Sequence, residues 1–442
     1  MKNCIYDFLK NYAESDVLRC HMPGHKGRGD KLPYGLDITE IKGADSLFEA
    51  DGIILESEKN MSALYNTAAS FYSASGSSLC IQAMLFAMKL EKRKIIAVRN
   101  VHRSFINAVA LLSLDVKWIL PDYKTGILSG EINHSEVEKI LRENNNSCFY
   151  VTSPDYTGRM ADISGLSEIC RKYNTPLLVD NAHGAHLNFF ERSLHPIALG
   201  ADICCDSAHK MLPALTGAAI LHTSQKRYSK ILRHCMSIFA STSPSYLILA
   251  SLDLCGNYIN ENIRNDIAEN LKYINDFRER FSRKLVFTNG EPFHITVNTS
   301  ESFINGNDFA SFLRENGVEC EYADDNIVIL LMSPMNKSDD YRRLSDAFEN
   351  SLKVVRKKYI PCKPFLKKLP EKALSISEAA FAQSTEIPVE MSEGRICASI
   401  KVPCPPAIPV AVSGEIINSD CINIFQSYGI RKVLLIDESF KK

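Results

Sequence analysis

No run of about 18 apolar residues occurs in this 442-residue sequence, so nothing in it reads as a membrane-spanning helix. The opening MKNCIYDFLKNYAESD lacks a charged n-region followed by an apolar h-region, which excludes a secretory signal there. Charge of one sign is also lacking. With Lys+Arg 51 against Asp+Glu 52 and no dense basic patch, nothing points to nucleic acid as a partner. The 14 cysteines form no C-x-x-C pair and no metal-ligand spacing to histidine. They read as reduced, mostly buried thiols of a cytoplasmic protein. What remains is an ordinary globular composition, 45% apolar and 23% charged, long enough for two or three domains.

From about residue 75 to 225 helical and strand periods alternate. CIQAMLFAMKLE (Cys80–Glu91), Ser104–Leu114, His134–Glu143 and Ile163–Tyr173 read as helices. KIIAV (Lys94–Val98), VKWIL (Val116–Leu120), CFYVTS (Cys148–Ser153) and PLLVD (Pro176–Asp180) read as strands. Ile203–Cys205 and Gly217–Leu221 are further apolar strand candidates. The alternation predicts an α/β fold with a mainly parallel, helix-covered sheet, whose chemistry gathers beyond the strands' carboxyl ends. A second α/β section starts near Leu285. A Pro/Lys linker follows at PCKPFLKKLP, and the Pro-rich KVPCPPAIPVAVSGEII reads as extended and irregular.

Four clusters carry candidate chemistry, and three of them fall at predicted strand ends. Ser77 and Ser78 lie at a predicted helix start, either as an anion cradle or as an ordinary cap. Asp180 ends PLLVD and precedes His183 and His186; it can hold a cationic ring nitrogen or cap the next turn. The two histidines lack a third ligand nearby, so no metal site is predicted. His102 follows KIIAVRN as a solvated loop histidine or a stacking ring. Lys210, beside His209 and three residues after Ser207, is a snorkelling surface lysine or a desolvated amine nucleophile. Together the four amount to the parts of a pyridoxal 5'-phosphate site.

The sequence resembles the Orn/Lys/Arg decarboxylase family in its short bacterial form. HMPGHK (21–26), TSPDY (152–156), VDNAHGAH (179–186), SAHK (207–210) and STSPSY (241–246) appear in the family's order. Gly394-Arg395 and the stretch ending Gly414-Glu415 resemble its C-terminal domain. The resemblance implies a PLP-dependent transferase-like, fold type I architecture of the aspartate-aminotransferase kind. It implies a PLP-binding large domain with its N-terminal segment over 1–284, a small α/β domain over 285–360 and a decarboxylase-type domain over 371–442.

It also implies roles. Lys210 would carry the cofactor, Asp180 would pair with its ring nitrogen, and His102 would stack on the ring. His183 would lie beside the ring oxygen. Ser77, Ser78, Ser207 and His209 would hold the phosphate, together with Thr242 and Ser243 of a neighbouring subunit in a homodimer. Cys80 and Ile81 stand where the family has the glycine and asparagine that help the loop wrap the phosphate, which predicts weaker cofactor binding, and Ala407 stands where the family commonly has glycine. The receiver-like wing domain of the large inducible enzymes is not expected.

The activity implied is decarboxylation of arginine, lysine or ornithine to a polyamine-pathway amine. Another fold type I reaction, an aminotransferase or lyase, is the first alternative. A catalytically silent homologue acting as a binding partner is the second. Asp45, Glu49 and Glu415 are the carboxylates considered for the substrate's distal cation.

Overall fold

The computed structural model describes residues 1–399 and 407–437. The Pro-rich residues before Ala407 therefore lie outside the described part. Seven strands make the larger sheet: β1 (Ala69–Ser73), β2 (Lys94–Val98), β3 (Val116–Ile119), β4 (Ser147–Thr152), β5 (Leu177–Asp180), β6 (Ile203–Asp206) and β7 (Ala219–Thr223). Their order is β1-β7-β6-β5-β4-β2-β3. β2 runs parallel to β3 and β4, and β5 parallel to β6, as continuous apolar runs with helical crossovers require. β7 runs antiparallel to both β6 and β1. The sheet is thus mainly parallel, as expected, with an antiparallel edge.

The chain divides into two units, residues 1–92 with 163–267 and residues 93–162 with 268–442. The first holds β1, β5, β6 and β7. Its β5 and β6 are buried along their whole length. Such strands must end where the chain can become polar, and both end in aspartate.

The second unit holds β2, β3 and β4, an antiparallel pair of two-residue strands, Asp122–Tyr123 and Gly130–Glu131, and two larger antiparallel sheets. One sheet runs Val286–Phe287, His294–Asn298, Ile327–Leu331, Tyr322–Ala323. The other runs Ser384–Pro388, Lys432–Ile436, Cys397–Ser399. Tyr123 and Leu128 share a core with Val410, Ile424, Phe425 and Leu435. Arg99, the residue after β2, is fully buried and donates from Nη2 to Glu415 at 2.6 Å and to the Val410 carbonyl at 3.3 Å. Its guanidinium also lies 5.0 Å from the Trp118 ring centroid. Breaking such a buried pair costs about 3–5 kcal/mol, because the survivor is left as an uncompensated charge. The pair ties the C-terminal segment to the end of β2.

Candidate active site

The lysine turn begins where β6 ends. Ser207 is buried, and Ala208–Met211 makes a single helical turn. That turn leaves Lys210 half-buried, with Nζ 3.0 Å from His183 Nε2. His183 itself is buried, on the tight turn that follows β5. Asp180, 2% exposed, accepts the Ala182 N–H at 3.2 Å, and the Asn181 N–H bonds to the Cys205 carbonyl at 2.9 Å. The Gly184 N–H closes the turn on the Asn181 carbonyl at 2.8 Å.

Ser207 Oγ donates to Ser77 Oγ at 2.9 Å. Ser77 lies in the first turn of the Gly76–Leu90 helix, whose N-cap Ser75 makes no side-chain cap. Gly76, at φ +69°, sits in the left-handed region, and its N–H bonds to the Gly217 carbonyl at 2.8 Å. Ser78 is exposed beside Ser77. Cys80 and Ile81 are buried in the same helix, so their side chains point into the core. His209 Nδ1 donates to the Ala218 carbonyl at 2.8 Å, and burial lowers the imidazole's pKa.

The remaining expected residues have local roles of their own. His102 belongs to the second unit, where it caps the Arg103–Leu112 helix: its Nδ1 accepts the Ser104 N–H at 3.2 Å. Thr242 and Ser243 are exposed, just before the Tyr246–Glu261 helix. Of the carboxylates considered for a substrate cation, Asp45 accepts five backbone N–H groups, from Ser46, Asp51, Gly52, Ile54 and Leu55. Burial raises its pKa but those bonds outweigh it, so the carboxyl titrates below its usual range. Glu49 accepts the Ser46 hydroxyl at 2.7 Å. Glu415 is held by Arg99. Asp45 and Glu415 therefore serve the fold.

Sequence reasoning missed Asn181 and Asp206. Asp206 is fully buried, and its Oδ1 accepts from Asn181 Nδ2 at 2.7 Å. The signal was present: ICCD, like PLLVD, is an apolar strand ending in a carboxylate.

The first unit's residues fit a phosphorylated pyridine aldehyde. A 15-residue helix presents an N-terminus without a side-chain cap and a serine pair for an anion. A buried carboxylate stands at a neighbouring strand end, and an amine contacts an imidazole. Asn181 Oδ1, buried nearby, has no hydrogen-bond partner among the described residues.

Residues 3–304 match the family described as Orn/Lys/Arg decarboxylase, major domain. The chain belongs to that family of PLP-dependent amino-acid decarboxylases. It is 28% identical over 450 residues to an arginine decarboxylase of Bacillus subtilis, covering 95% of this chain and 92% of the relative. The lysine decarboxylase of Francisella novicida superposes with a TM-score of 0.80 at 16% identity, over 98% of this chain and 81% of that one. A serine palmitoyltransferase of Sphingomonas wittichii superposes with a TM-score of 0.55 at 12% identity, over 70% and 79%. These likenesses establish the fold type I architecture.

Proposed function

We propose that this protein decarboxylates a basic L-amino acid, arginine before lysine or ornithine, on pyridoxal 5'-phosphate carried by Lys210. The observation that carries the reading is the Lys210–His183 contact at 3.0 Å, in the unit that also holds the strand-end carboxylate Asp180 and the Ser77–Ser207 pair. Arginine is placed first because the B. subtilis relative bears that activity's name, as does a 27% identical relative from B. anthracis aligned over 94% of this chain.

When bound, the cofactor supplies an electron sink for the pair left by the broken Cα–carboxylate bond. Everything else falls to the chain. Lys210 anchors the cofactor through Nζ, and His183 takes or returns a proton at that nitrogen. Asp180, desolvated, favours a cationic ring N–H beside it. Ser77, Ser78 and Ser207, with the helix N-terminus, neutralise the phosphate. His209 already donates from Nδ1, so its Nε2 donates to the phosphate only as the imidazolium, a form the phosphate charge favours. His102 fixes the ring plane. Thr242 and Ser243 of a second subunit complete the phosphate site in a homodimer. The domain division at 284, 360 and 371 and a cytoplasmic location belong to the same proposal. No described helix is long and apolar enough to cross a membrane.

The test is product analysis. Cofactor-loaded protein incubated with arginine, lysine or ornithine is expected to release carbon dioxide and the matching amine, arginine fastest. Lys210→Ala is expected to lose both turnover and the visible band of the lysine-bound cofactor. Retention of both rejects the reading.

A further inference from the structure

Beneath the lysine turn lies a polar cluster to which the proposed reaction assigns nothing. Asp206, His195 and His222 are each 0% exposed. Asp206 Oδ2 accepts from His195 Nε2 at 3.0 Å and lies 3.4 Å from His222 Nε2. His222 Nδ1 bonds to Ser70 Oγ at 2.8 Å. The Tyr65 ring packs on both imidazoles, with centroids 5.2 Å and 4.4 Å away. Burial would raise the Asp206 pKa, but the charge and hydrogen bonds of the two histidines hold it below the ordinary carboxylate range. Its charge opposes ionisation of the neighbouring Cys204, Cys80 and Tyr65, all of which burial already keeps neutral.

The other oxygen of Asp206 leads to the site. Oδ1 accepts from Asn181 Nδ2 at 2.7 Å. The Asn181 side chain lies against Gly184, where an added Cβ would meet Oδ1 at 2.0 Å. Asn181 and Gly184 bracket His183, the residue that contacts Lys210. A desolvated hydrogen bond to a carboxylate is strong and costly to leave half-made. The bond therefore sets the turn that aims His183.

We propose that Asp206 is a positioning residue of the lysine site: held by His195 and His222, it fixes Asn181 and thereby seats His183 against Lys210. Its charge, at the base of the same turn, also favours the protonated form of the lysine–cofactor nitrogen. The proposal rests on the reading of Lys210 as the cofactor lysine.

The experiment is a pH titration of the visible cofactor band in the loaded protein. Asp206→Asn is expected to lower the band's pKa by on the order of one unit, because a nearby anion is lost. Asn181→Ala is expected to shift it too, and the double variant no further than Asp206→Asn alone, since coupled residues are not additive. Asp253 is a comparably buried carboxylate of the same unit, bonded to the Ile5 and Tyr6 N–H groups, and Asp253→Asn is expected to leave the titration unchanged. An unshifted Asp206→Asn, additive shifts, or an equal shift in Asp253→Asn overturns the proposal. So does an equimolar divalent metal in the purified protein, since the ligand atoms of His195, Asp206 and His222 lie within 4.8 Å of one another. If Asp206→Asn does not fold, Asn181→Ala alone decides, because it leaves the carboxylate and both imidazoles in place. A visible band that survives Lys210→Ala would defeat the functional reading rather than this one.

Discussion

Lys210 shows how little a side chain's type determines its chemistry. In isolation it is a lysine at an apolar strand end, where a surface location is the common outcome. Partial burial and an imidazole at 3.0 Å make it a candidate nucleophile. Asp206 makes the same point from the acid side. Its folded pKa lies below the ordinary 3.8, so its ionised form adds stability above that value, and the gain is lost as pH falls through the folded pKa. Acid unfolding should therefore steepen below about pH 4 in the parent protein, whereas Asp206→Asn should be less stable at neutral pH and show a flatter acid limb. Circular dichroism against urea at several pH values checks this, and parallel stability curves for the two proteins would contradict it. The roles weighed for Ser77, Asp180, His102 and Lys210 were open in the sequence because each residue type also has a common structural use. His102 does act as a helix cap.

At the scale of elements, most periodic segments were legible to within one or two residues, although the helix read from Cys80 begins at Gly76 and takes in Ser77 and Ser78. KIIAV is a strand over Lys94–Val98, and His134–Glu143 is a helix with those ends. Both have clean boundaries, the helix capped by Asn133 accepting the Ser135 and Glu136 N–H groups. The strand expected at Gly217–Leu221 begins two residues later, because Gly217 adopts φ +95° as part of a turn. The strand ASFYS was not readable, since its mixed polarity gains meaning only from pairing with Ala219–Thr223. One element-level strain is testable. Ala407 has φ +56° and offers its carbonyl to the Arg103 N–H at 2.9 Å, at the start of the helix that His102 caps. Alanine in that region costs about 1 kcal/mol. Ala407→Gly should raise the urea midpoint by an amount worth roughly 0.5–1 kcal/mol with an unchanged m-value. A lowered midpoint would mean that alanine's contacts there outweigh the strain.

For the whole molecule, the prediction concerns two copies of the chain. If Thr242 and Ser243 complete a partner's phosphate site, Lys210→Ala and a Thr242→Ala/Ser243→Ala double variant are each inactive or nearly so. Mixing and reassembling them in equal amounts should restore up to about 25% of parent activity, because half the dimers are mixed and each holds one intact site. Activity that stays at the level of the separate variants would place those residues outside a shared site.

Some properties follow from the chain alone. The alternation of apolar strands with helices compels a layered, mainly parallel sheet, and several spaced motifs together mark the family, because these patterns depend only on residue order. The tertiary structure decided what depends on distance. It bonded Asp206 to Asn181, spent Asp45 on a helix N-terminus and Glu415 on Arg99, and brought His183 within reach of Lys210. Residues 27 or 316 positions apart meet only because parallel strands and a returning C-terminal segment deliver them, and a linear pattern carries no record of that proximity.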